Sequence, residues 1–255
     1  MPATVSELAV APVKGMRLQR ASEVELGRHG VTDDREFLVI GEDGKLLLTG
    51  RTPALLQVEP VWDRVQSVLT LSFPDGDVVQ DMLEPGAPAT TRMYDGREIV
   101  GWIIPGPLGT ALSGYLGRPV HLFKRAPEHL GGDDEPVTLM SQASLQALAP
   151  ELNGTAPDSR RFRMTITITG TDAWAEHAWR GERVSIGDVM LRVIAPVPRC
   201  VVTTRNPDSG ATDARILHAL ARLRGKDDIT FGVWCEILRP GRVRVGDLVI
   251  APSCI

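Results

Sequence analysis

The chain is broken into short apolar or alternating runs at 5–13, 21–26, 36–40, 45–48 and 68–73, separated by turn signals such as Glu42-Asp43-Gly44 and Pro74-Asp75-Gly76. Runs of this length and spacing leave no room for the crossover helices that a doubly wound parallel sheet requires, and fit meanders and barrels. Helical signals are few. Leu108, Leu112, Tyr115 and Leu116 fall near helical spacing over 109–116, with Gly117 as a stop. A second helix is predicted over 141–149, opened by a Ser cap and closed by Pro150. A third, over 212–223, repeats Ile216, Leu217, Leu220 and Leu223 and carries Arg222 and Arg224 at the end where cations suit the dipole. The predicted class is mainly β with a few helices (α+β). The runs at 184–189 and 243–249 each hold a Gly-Asp pair and read as barrel strands with a bulge. The polar, glycine-rich stretch at 124–135 marks a linker, which divides the chain into domains at 1–125 and 126–255.

Charge and cysteine count exclude several function classes. The 255 residues include 28 Lys and Arg against 32 Asp and Glu, a net charge of -4, and the cations form no block. A nucleic-acid partner is therefore not expected. Three cysteines, Cys200, Cys235 and Cys254, are too few and too scattered for a disulfide framework and point to a reducing compartment. The first residues lack a basic segment followed by an apolar one, and no apolar run is long enough for a membrane span, so the expected location is cytoplasmic. The histidines, His29, His121, His129, His177 and His218, show no zinc spacing. Trp174 and Trp179 read as core residues, or as the lining of a substrate entrance.

The chemistry concentrates at Pro198-Arg199-Cys200-Val201-Val202-Thr203-Thr204-Arg205-Asn206-Pro207-Asp208-Ser209-Gly210. A cation beside a thiol favours the thiolate, which ligates soft or redox-active metals. The hydroxyls of Thr203 and Thr204 and the amides of the turn are placed to hold an anion nearby. Taken alone, the segment equally admits a buried strand cysteine. Likewise Lys14, Arg35 and the Arg160, Arg161, Arg163 cluster each admit a solvated charge or a weak ion pair, with Asp34 beside Arg35 as a ready partner.

Arg-Cys, two hydroxyl residues and an Asx-Pro-Asp-Ser-Gly turn, in that order, resemble the cysteine motif of the MOSC superfamily, named after the C-terminal domain of molybdenum-cofactor sulfurases. The N-terminal half is similar to the barrel domain that precedes MOSC in longer members. It carries Ala11-Pro12-Val13-Lys14-Gly15, then Gly30-Val31-Thr32-Asp33-Asp34-Arg35, then Leu48-Thr49-Gly50-Arg51; Arg160-Arg161-Phe162-Arg163 and Phe231-Gly232 follow in order. The resemblance implies an N-terminal β-barrel-like domain followed by a MOSC β-barrel domain. It further implies a molybdenum cofactor (Mo-molybdopterin) with Cys200 as metal ligand and catalytic residue. Lys14, Gly15, Arg35, Arg163, Thr165 and Arg199 are implied as further cofactor-binding residues. Guanidinium forks suit the cofactor's phosphate, and a glycine after Lys14 lets the phosphate approach the backbone.

Through the amidoxime-reducing and YcbX-like branch, the resemblance also implies an activity. The chain would be a pyridoxal phosphate-independent oxidoreductase that reduces N-hydroxylated small molecules such as amidoximes, hydroxylamines and N-hydroxylated bases. Electrons would come from a separate donor, either a reductase, a ferredoxin or a cytochrome b5-like protein, because no clustered Cys spacing marks an iron-sulfur domain here. Two departures bear on affinity. Met164-Thr165 stands where the family usually has Pro-Asn, with Thr165 a partial substitute, and Gly15 stands where some relatives carry Ser. The alternatives are a non-catalytic cofactor carrier or sulfur-transfer module using Cys200, and a scaffold that has lost the cofactor.

Overall fold

In a computed structural model, residues 2–128 and 135–252 are described; Cys254, His129 and the Gly131-Gly132-Asp133-Asp134 part of the predicted linker lie outside them. The fold is strand-rich with short helices. Its main sheet has eight strands, ordered Val249–Ile250, Arg183–Ile186, Val189–Pro198, Thr230–Arg239, Val137–Ser141, Ile166–Thr169, Thr4–Val10 and Gln19–Ala21. Neighbours are antiparallel except Val137–Ser141 beside Ile166–Thr169. A ribbon of Gly241–Arg244, Glu23–Gly27 and Gly30–Val31 folds over the same core. Val24, Leu26, Val31 and Val243 pack there with Leu139, Ile166, Leu191 and Val233.

A second body is built on a four-stranded sheet of Phe37–Gly41, Val120–Arg125, Glu98–Ile104 and Pro88–Arg92, and a three-stranded meander of Glu59–Asp63, Val68–Ser72 and Val78–Met82. The helix Pro107–Leu116 closes it, burying Leu108 and Leu112 against Phe37, Leu69, Leu71 and Leu122. Leu69 and Leu71 are fully buried and alternate with half-exposed neighbours, the period-two signature of a strand with one wet face. As expected, Gly117 stops this helix, at φ 64.

The structure departs from the sequence expectations in four places. Residues 45–48 form no strand: Leu46 makes one bridge to Ile40, and the Leu48 carbonyl then accepts the N–H groups of Arg51 and Thr52, turning the chain. The helix capped by Ser141 spans only Gln142–Gln146, because Pro150 enters a separate 3-10 turn, Ala149–Glu151, at a position that needs no N–H donor. The third helix spans Ile216–Arg224, since Thr212 pairs with Arg205 instead of opening a helix. The Gly-Asp pairs are not bulges. Gly187-Asp188 is a two-residue hairpin loop in which Ile186 faces Val189, and Gly246-Asp247 is a corner where the chain passes from the ribbon to the main sheet. No helix among the described residues is long and apolar enough to cross a membrane.

Candidate functional site

The segment that ends in Lys14-Gly15 runs alongside the start of the Phe37–Gly41 strand. Arg35 N–H donates to the Ala11 carbonyl (2.7 Å), Phe37 N–H to Pro12 (3.0 Å) and Lys14 N–H to Phe37 (2.8 Å). Asp34, 7% exposed, locks the register: Oδ1 accepts the Ala11 N–H at 2.8 Å and Oδ2 takes the Arg35 guanidinium. The other arm of Arg35 donates to the Arg163 carbonyl (3.1 Å), and Arg163 Nη2 donates to the Met16 carbonyl (2.8 Å). Arg125 Nε donates to the Arg35 carbonyl at 3.0 Å. Arg35, Arg163 and Arg125 are thus joined in one hydrogen-bonded circuit, which meets the Lys14-Gly15-Met16 turn at the Met16 carbonyl and runs beside it through the Lys14 N–H to Phe37. Arg35 and Arg163 both adopt left-handed backbone, at φ 50 and φ 53. Such a conformation costs a non-glycine residue about 1–3 kcal/mol, and strain of this kind clusters at functional sites.

Two connections carry this circuit to Cys200. Gly15, at φ +89, is packed so tightly that a Cβ there would lie 2.6 Å from Thr49 Oγ1, and a Cβ on the adjoining Gly50 would lie 3.0 Å from Val201 Cγ1. The Thr49-Gly50 turn therefore touches the lysine turn on one side and the residue after Cys200 on the other. The second connection is Arg199, delivered by the Val189–Pro198 strand. Its Nε donates to the Phe231 carbonyl (2.9 Å), its Nη1 to the Phe162 carbonyl (3.0 Å), and its guanidinium lies 5.6 Å from the Phe162 ring. Phe162 stacks on Phe231 at 4.0 Å and is followed by Arg163. Arg199 thereby fastens the Cys200 loop to the segment that carries Arg163.

Cys200 opens a 3-10 turn, Val201–Thr204, with its carbonyl accepting from Thr203 N–H (3.2 Å) and Thr203 Oγ1 (3.0 Å). Its side chain is exposed, whereas Cys235 is fully buried and burial pushes that thiol's pKa up. Of the two, only Cys200 is open to a ligand. The threonine hydroxyls differ from expectation: Thr203 donates to Cys200 and Thr204 to Val201, so both brace the turn rather than face outward. The next turn is held by Asn206 Oδ1, which accepts from Asp208 N–H (2.9 Å) and Ser209 N–H (3.1 Å), as an Asx turn does.

Thr165 stands apart from the circuit: it is buried just before the Ile166–Thr169 strand, its N–H donating to Thr138 Oγ1 at 2.9 Å and its hydroxyl 3.3 Å from the same oxygen. Ion pairs expected from sequence are present at Asp34 with Arg35, and Arg160 pairs with Asp158 and Asp208 while Arg161 pairs with Asp213. Trp179 is buried in the main core; Trp174 packs edge-on against Phe231 at 5.6 Å. Sequence reasoning gave no role to Asp34 as a register lock, to Arg125, to Thr49 as the partner of Gly15, or to Arg205. The signal for Thr49 was its place in the Leu48-Thr49-Gly50-Arg51 motif; nothing local marked Arg125.

The family described as MOSC domain matches residues 126–250, and the MOSC N-terminal beta barrel domain matches residues 2–107. The chain is 30% identical over 285 residues to mitochondrial amidoxime-reducing component 1 of Mus musculus, covering 96% of this chain and 81% of that protein. To the Homo sapiens protein of the same name it is 28% identical over 285 residues, covering 96% and 82%. To molybdenum cofactor sulfurase of Homo sapiens it is 23% identical over 276 residues, covering 91% of this chain and 30% of that protein. With both domains matched in order, the chain belongs to the MOSC family.

Proposed function

We propose that this protein binds a molybdenum cofactor and reduces N-hydroxylated small molecules with electrons from a separate donor. The observation that carries the reading is one exposed thiol, Cys200, joined through Arg199 and Gly50 to a circuit of left-handed arginines around the Lys14-Gly15 turn. The donor set fits the cofactor at both ends. Lys14, Arg35 and Arg163 supply cations for a phosphate, and Gly15 supplies backbone without a side chain in the way. Cys200 supplies the soft ligand. When bound, such a cofactor supplies two-electron redox chemistry at a metal able to remove oxygen from an N–O bond.

The protein's own part is positional. Arg199 acts through the Phe231 and Phe162 carbonyls, fixing where the Cys200 loop stands relative to Arg163. Asp34 turns the Arg35 fork toward the Arg163 carbonyl and neutralises part of its charge, so Arg35 orders the cradle while Lys14 offers the point charge. Reduction of the substrate to amine and water consumes two electrons and two protons, supplied through the donor and solvent.

The test is molybdenum per chain and benzamidoxime reduction, for wild type and Cys200→Ala from a cofactor-competent host. Near-equimolar metal with turnover in wild type, and retained pterin without turnover in the variant, is the expected result. A folded wild type without molybdenum sinks the reading. The likeness to molybdenum cofactor sulfurase favours a second reading, in which exposed Cys200 carries sulfur or parks the cofactor for transfer. Exchangeable cofactor, or a persulfide on Cys200, without turnover would select it.

A further inference from the structure

Trp174 is held in an outlying conformation that its own burial does not explain. The residue is only partly buried, yet its backbone is left-handed, at φ 67. Bulky side chains rarely adopt this region, and where they do the surroundings over-determine it, commonly at functional sites. Here three buried polar side chains do so. The Trp174 N–H donates to Ser144 Oγ at 2.7 Å, the Ser144 hydroxyl donates to Glu176 Oε2 at 2.9 Å, and Ser141 Oγ lies 2.8 Å from Ser144 Oγ. Ser141, Ser144 and Glu176 are all fully buried. The indole is held as firmly as the backbone. It meets Phe231 edge-on at 5.6 Å and His177 edge-on at 5.5 Å, and the Arg224 guanidinium lies 4.8 Å from its ring.

What the indole packs against is the socket of Arg199. The Phe231 carbonyl accepts from both Nε (2.9 Å) and Nη2 of Arg199, and Phe231 stacks at 4.0 Å on Phe162, whose carbonyl accepts from Nη1 (3.0 Å). The Arg199 N–H donates to the Ile229 carbonyl at 2.9 Å, two residues before Phe231. Both carbonyls that seat the guanidinium therefore belong to one aromatic pair, and Trp174 is the third ring of that cluster. We propose that Trp174 is a positioning residue for Cys200: its strained backbone and its indole together set Phe231, Phe231 seats Arg199, and Arg199 fixes the loop that carries the thiol. Core packing alone would ask for an apolar side chain here. It would not ask for left-handed backbone secured through a buried carboxylate, since both features cost stability. The part of this role that concerns turnover rests on the reading of Cys200 as the cofactor's ligand; the part that concerns the loop does not.

Hydrogen exchange in the full chain, purified from a host that makes no molybdopterin, tests the loop. The N–H groups of Arg199, Thr203 and Arg205 donate to the Ile229, Cys200 and Val202 carbonyls, so their exchange reports how firmly the loop is held. In Trp174→Ala and Trp174→Gly, exchange over 199–205 should quicken by about three- to tenfold, as loss of an edge-on aromatic contact gives. The glycine variant is unstrained at this φ and covers an alanine variant that fails to fold. Trp174→Phe, which keeps a ring against Phe231, should stay within about twofold of wild type. Trp179→Phe, in the main core, is the control for stability alone: it should lower the urea midpoint and leave 199–205 unchanged. In molybdenum-loaded protein, Trp174→Gly should lower kcat for benzamidoxime by about tenfold with KM unaltered, and Trp174→Phe should restore it. Exchange that is unchanged in both small variants, matched by Trp179→Phe or not restored by Trp174→Phe overturns the proposal. Quickened exchange with kcat unaltered overturns it as well, since the brace would then have no bearing on the reaction. A wild type without molybdenum whose loop exchange still depends on Trp174 sinks the molybdenum reading and supports the brace.

Discussion

Gly15 shows how much of the site rests on a single missing side chain. Its backbone sits at φ +89, and a Cβ would come within 2.6 Å of Thr49 Oγ1. Two costs are then expected for Gly15→Ala: left-handed strain of about 1–2 kcal/mol, and a collision with a side chain that is stiff at χ1. Chemical denaturation should show a loss of about 2–3 kcal/mol, of which Thr49→Ala in the same chain restores only the steric part. A neutral Gly15→Ala would mean that the two turns are not in contact. Sequence drew attention to Lys14-Gly15, Asp34-Arg35 and Arg163, which the structure places near one another, because each lies in a recognisable local string. It did not expose their partners. Arg35 is satisfied by a carbonyl 128 residues away, and Arg125 reaches the Arg35 carbonyl from 90 residues away. A single string carries no record of such pairings, and so Thr165, two residues past Arg163, looked like a member of a circuit to which the structure does not join it.

Among the elements, the one-turn helix Ala175–Ala178 is the most exacting, because it places two titratable groups in a nearly dry setting. Glu176 is fully buried and burial pushes its carboxyl pKa up, even though Ser141 N–H and the Ser144 hydroxyl donate to it at 3.2 and 2.9 Å. Ser144 Oγ in turn accepts the N–H of Trp174, which sits at φ 67, so the carboxylate indirectly holds a strained residue in place. Glu176→Ala should cost about 3–5 kcal/mol by urea denaturation and loosen Trp174, visible in its fluorescence. His177 is affected in the opposite sense: burial first, then the Arg224 charge, pulls its pKa down to about 4, and neither ring nitrogen has a hydrogen-bond partner among the described residues. Because the folded state binds fewer protons than the unfolded chain below about pH 6.5, His177 lowers stability as pH falls toward 4, by up to about 3 kcal/mol. Glu176 contributes the reverse slope: its stability is highest below the ordinary carboxylate value and is lost as pH rises through the folded-state value. In Glu176→Gln the histidine slope should therefore appear undiluted, with stability rising from pH 4 to 6.5; in His177→Phe that rise should vanish. A Glu176→Gln chain with flat stability over this interval would contradict the burial of His177. None of this was readable from the string, which offered two tryptophans and a lone histidine. The twin Gly-Asp pairs illustrate the same limit, since sheet membership, which separates a hairpin loop from a corner, is set by residues far along the chain.

At the scale of the molecule, the two bodies are not two beads on a string. Thr4–Val10 pairs with Ile166–Thr169 across the main sheet, Gln19–Ala21 extends its edge, and Glu23–Gly27 pairs with Gly241–Arg244. Every strand of the first thirty-one residues therefore lies in the body otherwise built from the C-terminal half, while the chain between them and 125 forms the other body. Val5, Leu8, Val24, Leu26 and Val31 are almost fully buried in the main core, so their removal would uncover apolar faces and leave two strand edges unpaired. A composition shift such as the one near 124–135 is a different property from independence of folding, which depends on these long-range strand pairings. Residues 126–255 expressed alone should lack a cooperative unfolding transition and aggregate through the exposed Ile166–Thr169 edge. Supplying 1–125 in trans, or fusing 1–31 ahead of the fragment through a flexible linker, should restore a cooperative transition by near-ultraviolet circular dichroism and urea denaturation. Cooperative melting of the isolated fragment would show instead that the long-range pairing adds little. The same interlock explains how Arg35 and Arg163 can hold left-handed backbone: Lys14-Gly15 lies where the chain leaves the main sheet, Arg35 just before the Phe37–Gly41 strand of the second, and Arg163 and Cys200 on loops that join them through Met16 and Gly50, so both cores hold these positions at once.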